Sequence, residues 1–224
     1  MKKINILFTL FTFSVILFSC KKDIEDPVDV GYGYFPVNVG HWATYQVDST
    51  YYDDFTDSVR VYHYKIREQV ESTFMDNQNR ETQRIERYKQ ISDTTSWYIN
   101  NVWAMNLTAS TAEKVEENQR YIKLIFPVKK GKTWDGNAYN ILGEQEYEFG
   151  SVGKAYTVNG ITFDSTVTVI QKIESNIIHA DYQIEVFAKH VGLIYKKYKS
   201  VDKSTDGNIT KGVDYSYSII SYGN

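Results

Sequence analysis

The chain has 224 residues, with 25 Lys and Arg against 28 Asp and Glu, for a net charge of −3 at pH 7. This mildly acidic balance disfavours a phosphate backbone, so nucleic acid is excluded as the expected partner. The one cysteine, Cys20, rules out an internal disulfide and a cysteine-based metal site.

The N-terminus opens with Lys2-Lys3, continues through an apolar run from Ile4 to Phe18, and closes on Leu17-Phe18-Ser19-Cys20. A basic head, an apolar core of ~15 residues and a small residue before the cut describe a secretory signal peptide over residues 1–19. A membrane-spanning helix needs ~20 apolar residues, more than this run supplies. Leu17 three places before Cys20 and Ser19 one place before it resemble the lipobox of bacterial lipoproteins. That resemblance implies a diacylglycerol and palmitate on Cys20, which becomes the first mature residue and ties the protein to the membrane. Next comes Lys21-Lys22-Asp23-Ile24-Glu25-Asp26, which resembles the surface-export signal of Bacteroidetes-type lipoproteins, with Ile24 interrupting the acidic pair. Read from its residues alone, the stretch 20–33 is the lipidated cysteine followed by a solvated, flexible tether. Position 21 is not aspartate, the residue that favours inner-membrane retention in enterobacterial lipoproteins. The resemblance therefore implies a lipid-anchored outer-membrane protein of the cell envelope, with the periplasmic and surface-exposed sides both open.

Residues 34–224 are expected to form a single β domain. Tyr at 19, Phe at 11 and Trp at 4 residues favour strands, and the three prolines, Pro27, Pro36 and Pro127, fall at candidate boundaries rather than inside them. Two corners resemble each other: Phe35-Pro36-Val37-Asn38-Val39-Gly40-His41-Trp42 and Phe126-Pro127-Val128-Lys129-Lys130-Gly131-Lys132-Thr133-Trp134. With a second matching pair, Phe55 to Val59 and Phe163 to Val167, they suggest two similar halves, 35–125 and 126–224. The simpler reading is that each block is a good strand corner, with proline and glycine shaping the turn and tryptophan plugging the sheet.

Between the corners the apolar period is two. Tyr62, Tyr64, Ile66, Val70 and Phe74 share one face of a strand. So do Phe163, Val167, Val169 and Ile173, then Tyr182, Ile184, Val186 and Ala188, and finally Val213, Tyr215, Tyr217 and Ile219. Turns are expected at Met75 to Asn79, Asn100-Asn101, Asn159-Gly160 and Asp206-Gly207-Asn208. Thr111 to Gln119 has a capping start but no apolar stripe, so it reads as a strand extension or one short helix. The fold class is all-β with at most one or two short helices. Roughly ten to twelve strands form a large curved antiparallel meander, as a half-barrel or barrel. Phe187 to Tyr195 also resembles the late Gly-Leu-Val strand of periplasmic lipoprotein-carrier half-barrels, which implies a concave binding face.

Catalytic signatures fail on inspection. Gly131-Lys132-Thr133 ends like a phosphate loop, but Phe126 stands where its first glycine belongs, and neither a Gly-x-Ser-x-Gly elbow nor a His-Glu-x-x-His pair occurs. His41, His63, His179 and His190 are scattered singly. Asp202, Ser204 and Asp206 copy the front of a calcium loop, but Val213 occupies the place of its bidentate glutamate, and a hairpin turn explains the same residues. Glu144, Glu146 and Glu148 alternate along one wet strand face. Trp42, Trp97, Trp103 and Trp134 are the candidate ligand-binding residues should they line an open face, and core residues otherwise. No catalytic residue, metal or cofactor is assigned. The expected function is a non-enzymatic envelope lipoprotein that binds an apolar ligand, a glycan or an envelope protein on its curved sheet. The alternatives are an accessory subunit of a surface complex without a small-molecule site, and a hydrolase with carboxylates brought together only by the fold.

Overall fold

The computed structural model describes residues 29–224, so Cys20, the leader and most of the tether lie outside the described residues. Twelve strands follow in order: β1 Trp42–Asp53, β2 Ser58–Met75, β3 Glu81–Gln90, β4 Tyr98–Leu107, β5 Thr111–Glu116, β6 Gln119–Ile125, β7 Thr133–Asp135, β8 Glu146–Val158, β9 Ile161–Ser175, β10 His179–Ala188, β11 Gly192–Lys203 and β12 Ile209–Gly223. They form one antiparallel sheet in the order β6-β5-β4-β3-β2-β1-β12-β11-β10-β9-β8-β7. The only helix among the described residues is a 3-10 turn over Tyr32–Tyr34. The fold class is thus all-β, and the ambiguous stretch from Thr111 is strand β5.

The sheet curls into a nearly closed barrel. Its two edges meet where the Ile122 amide of β6 donates to Gly136 O just past β7, at 2.9 Å. The Trp134 indole N–H donates to Ile122 O at 2.9 Å beside it. Gly136 permits this approach, because a Cβ there would stand 2.3 Å from the Tyr147 ring. Closure of this kind leaves few unpaired edge groups, the usual hazard of an open sheet. The corners at Phe35-Pro36 and Phe126-Pro127 lead into β1 and β7, which stand six strands apart in the sheet.

One end of the barrel is stoppered by the segment that follows the tether. Tyr34 and Phe35 are buried in an apolar cluster with Val70, Ile85, Met105, Leu124, Phe149 and Phe187. Tyr34 Oη is 2.8 Å from Ser165 Oγ, and the His190 amide donates to Gly33 O. A second cluster joins Tyr45, Val47 and Ile66 to Val158, Phe163, Val186 and Ile194. The bulged β8–β9 hairpin supplies part of it by folding back, since Asn159 at its tip donates to Ile219 O of β12 at 3.0 Å. Strands β8 and β12 are separated by three others in the sheet.

Three expectations about local structure are corrected. Asn100-Asn101 is no hairpin turn: β4 runs through it, with Asn101 opposite Arg87 and Ile99 opposite Tyr88, so Asn100 is a bulge that bends a continuous strand. The inward face of β10 is not Ile184, Val186 and Ala188 alone. Both faces of β10 are buried, with Glu185 and Phe187 facing the interior, and the extra residues that shift the register beside it, Gln171 on β9 and Ile194 on β11, belong to its neighbours. Tyr62, Phe74 and Ile173 are exposed: β2 extends past its pairing with β3 at Tyr62, and the extra residues Glu71 and Gln171 turn Phe74 and Ile173 to the outer face. The turns at Met75 to Asn79, Asn159-Gly160 and Asp206 to Asn208 stand as expected.

Candidate functional site

The inward faces of the strands line a cavity of about 320 Å³. Its stoppered end is apolar, built from Phe35, Val70, Ile85, Met105, Phe187 and Leu193. Its other wall is charged, and seven side chains make one continuous ion-pair chain across the barrel. Each sits at the inward parity of its strand. Glu68 follows Tyr64 and Ile66 and precedes Val70 on β2; Arg87 follows Ile85 on β3 and pairs opposite Glu68. Lys114 and Glu116 follow Ala112 on β5. Lys123 is the extra residue of a bulge between Ile122 and Leu124 on β6. Glu185 on β10 is opposite Lys196 on β11.

The chain starts at Arg87, with Nε 3.2 Å from Glu68 Oε1. Lys114 Nζ is 2.7 Å from Glu68 Oε2 and 3.8 Å from Glu116 Oε1. Lys123 Nζ lies 3.2 Å from Glu116 Oε1 and 3.1 Å from Glu185 Oε1. Lys196 Nζ ends the chain, 3.1 Å from the same Glu185 Oε1. Glu185 Oε2 is buried and no protein donor reaches it among the described residues. Arg87 Nη2 also donates to the Tyr217 hydroxyl at 2.5 Å, and its guanidinium lies 4.4 Å from the Trp103 ring.

Burial alone would drive these groups toward neutrality, but their partners outweigh it. Glu68 is held below the usual carboxylate range by Lys114 and Arg87, Glu116 by Lys123, Lys196 and Lys114, and Glu185 by Lys123 and Lys196. Lys123 and Lys196 are raised above the ordinary lysine value by Glu116 and Glu185. Glu68, Glu116, Glu185, Lys123 and Lys196 thus remain ionised at neutral pH. Burial pushes the Tyr64 and Tyr147 hydroxyls up to about 12, so both stay protonated.

Of the four tryptophans, only Trp103 lines this cavity. Trp42 is on the outer face under the Arg67 guanidinium, 4.1 Å from its ring. Trp97 precedes β4 and is exposed, and Trp134 packs in the core 4.6 Å from Phe149. Asp202, Ser204 and Asp206 do not converge: Asp202 Oδ1 is 2.7 Å from His179 Nδ1, while Ser204 and Asp206 bond each other in the β11–β12 turn. Among the described residues no group of three His, Cys, Asp or Glu is placed to hold a metal ion. Glu144, Glu146 and Glu148 are exposed. The residues that do assemble, Glu68, Arg87, Lys114, Glu116, Lys123, Glu185 and Lys196, were not singled out as a group by motif. Their signal is a charge standing in an apolar row, as Glu68 does between Ile66 and Val70.

No protein-family model matches the chain, and no curated protein matches it. Two solved structures are similar to it in part. One is a Bacteroides fragilis protein provisionally described as exported and as having a YmcC-like fold, at 9% identity and a TM-score of 0.42, covering 85% of this chain and 98% of that one. The other is a Parabacteroides distasonis protein provisionally described as a lipoprotein, at 10% identity and a TM-score of 0.38, with 85% and 98% covered. Likeness at this level establishes neither family nor function.

Proposed function

We propose that this chain is an exported envelope lipoprotein, anchored through Cys20 in the outer membrane, whose barrel binds a small amphiphilic molecule. The observation that carries the reading is the two-sided cavity, apolar at Val70, Ile85, Met105 and Leu193 and charged along the chain from Arg87 to Lys196. Its volume of about 320 Å³ lies at the low end of the range for small-molecule sites, ~300–1,000 Å³. The anchor rests on Leu17-Phe18-Ser19-Cys20 and the basic, apolar leader before it.

The charged wall suits binding better than acid–base chemistry. A general acid or base working at neutral pH needs a pKa near 7. The cavity glutamates Glu68, Glu116 and Glu185 are all shifted the other way, by cations within 3.2 Å of each. They serve as fixed charges that position a ligand. Because this wall is ionic, a purely apolar ligand fits less well than one with a polar head.

The test is native mass spectrometry on the domain, residues 21–224, released gently from its own envelope. A co-purifying small mass that organic solvent strips away is the expected result. A bare chain that also takes up no added amphiphile overturns the reading. A second reading, a protein-binding accessory subunit, is favoured by the β1–β2 hairpin. There Phe55 is 94% exposed and Tyr51, Val59, Val61 and Tyr62 are exposed beside it. Cross-linking from position 55 on intact cells tests that reading.

A further inference from the structure

The ion-pair chain does not balance. Four cations, Arg87, Lys114, Lys123 and Lys196, face three carboxylates, Glu68, Glu116 and Glu185. Each carboxylate is already shared by two cations, so the surplus positive charge has no internal partner within the chain. Glu117 also borders the cavity, but it sits on the exposed β5–β6 turn and accepts from Asn101 and Trp103 rather than from a cation. A charge surrounded by protein is poorly screened, and leaving one unmatched there is costly. Lys196 is where the surplus falls. It is the last member of the chain, its side chain is only 16% exposed, and it has a single carboxylate oxygen for its three donors.

A second mismatch lies beside it. Lys123 and Lys196 converge on Glu185 Oε1, while Oε2 of the same carboxylate, 2% exposed at the side chain, meets no protein donor among the described residues. One end of the cavity therefore offers a cation in want of an anion and, on the neighbouring carboxylate, an acceptor in want of a donor. The opposite end offers Val70, Ile85, Met105 and Phe187.

We infer that the cavity takes an organic anion that also carries a hydroxyl, with the anionic group on Lys196, the hydroxyl donating to Glu185 Oε2, and the hydrocarbon part against Val70, Ile85 and Met105. The inference rests on the amphiphile reading above and narrows it to one head-group chemistry. Carboxylate and phosphate heads both supply the charge. A neutral or cationic head leaves the surplus in place.

The experiment is calorimetric titration of the domain, residues 21–224, with probes that share one tail: octanoate, octyl phosphate, octanol, octylamine and 3-hydroxyoctanoate. At least one of the two anions should bind about tenfold or more tightly than octanol, and octylamine should bind most weakly. The stronger of octanoate and octyl phosphate names the head group. Binding of 3-hydroxyoctanoate should exceed that of octanoate. Lys196→Met, which brings the chain to three cations and three carboxylates, should remove the preference for an anion over octanol, and Lys196→Arg should keep it. Equal affinity for octanol and both anions overturns the anion assignment and leaves the amphiphile reading standing. Equal affinity for octanoate and its hydroxylated form overturns the hydroxyl assignment. Failure of every probe overturns both this inference and the reading beneath it. Should Lys196→Met not fold, the head-group series on the unaltered domain decides alone.

Discussion

Lys123 of β6 and Glu185 of β10 meet at 3.1 Å although their strands stand eight places apart in the sheet. An open sheet of that width would hold them far apart at a strand spacing of ~4.8 Å. Their contact is a consequence of the curl that brings β6 to β7, and it crosses the barrel interior rather than running along its wall. The wall is held by its ladder; the interior is held by charges as well as by packing.

Glu185 is the hub of that interior, since two ammonium groups share one of its oxygens. Glu185→Gln leaves Lys196 with no carboxylate and Lys123 with Glu116 alone. Removing one partner of a buried pair costs ~3–5 kcal/mol, and the lower figure applies here because Lys123 keeps Glu116. Urea unfolding should show a loss of about 3 kcal/mol for Glu185→Gln and a smaller loss for Lys196→Met. Equal losses would mean that the carboxylate is not the hub.

Closure of the barrel hangs on Gly136. A methyl group there collides with the Tyr147 ring at 2.3 Å, so the ring or the 135–137 backbone must shift and the Ile122 amide bond to Gly136 O is strained or lost. Overpacking of this kind costs ~1–3 kcal/mol. Gly136→Ala should lower the urea midpoint accordingly and speed amide exchange at Ile122, while exchange in β1 and β12 stays slow.

Much of this was legible from the residues. Alternation of apolar side chains predicted the strands, and glycine and asparagine marked three of the four turns. The fourth misled because Asn tolerates bulges as readily as turns, and only the partner strand distinguishes them. The site was harder to see. In the row Tyr64, Ile66, Glu68, Val70, the glutamate breaks an apolar face, as Arg87 does two places after Ile85 and Lys196 does two places after Ile194. One such residue reads as a solvated edge; that these charges converge depends on strand order and on bulges at Lys123, at Gln171 of β9 and at Ile194 of β11, which local sequence does not specify. The tryptophans stand out for their size, but Trp42 lies on the outer face, Trp134 in the core and Trp97 exposed ahead of β4, leaving Trp103 alone in the cavity.

Acid should weaken the outer cluster around Asp181. Burial pushes its carboxyl up, but Lys172, Ser200 and His179 outweigh this and hold it at about 2, below its ordinary 3.8. Its ionised form therefore stabilises the fold above pH 3.8, and that contribution is lost as pH falls from about 4 towards 2. Because Lys172 is 41% exposed, the effect is on the order of 1–2 kcal/mol after screening. His179 works in the opposite sense. Asp202 and then Asp181 raise its pKa, so its contribution is full below 6.5 and fades as pH climbs through the raised value. Urea midpoints from pH 7 to 2 should fall in the acid window, and Asp181→Asn should flatten that fall. An unchanged slope in Asp181→Asn would assign the acid loss to the interior glutamates.

The lipid anchor makes a separate claim. Cys20→Ser removes the only thiol to which a diacylglycerol can be attached. Incorporation of labelled palmitate should drop to background, and the protein should no longer partition into the detergent phase as a lipid-bearing chain does. Each buried methylene is worth ~0.8 kcal/mol, so the loss of two or three acyl chains is large. Persistent labelling of Cys20→Ser would place the modification elsewhere.

Trp103 should report on what enters the barrel. Its ring lies between the Arg87 guanidinium at 4.4 Å and the Lys114 ammonium at 4.9 Å, and its indole N–H donates to Glu117 Oε1 at 3.2 Å. A head group arriving at the charged wall changes the field at this ring, while Trp42 and Trp97 lie outside the cavity. Titrating octanoate into the domain should shift or quench the emission of the unaltered protein and of Trp97→Phe alike. Trp103→Phe should abolish most of the change at a stability cost within about 1 kcal/mol, the worth of one indole hydrogen bond. Retention of the full signal in Trp103→Phe, with binding intact by calorimetry, would place the ligand away from this wall and against the apolar stopper alone.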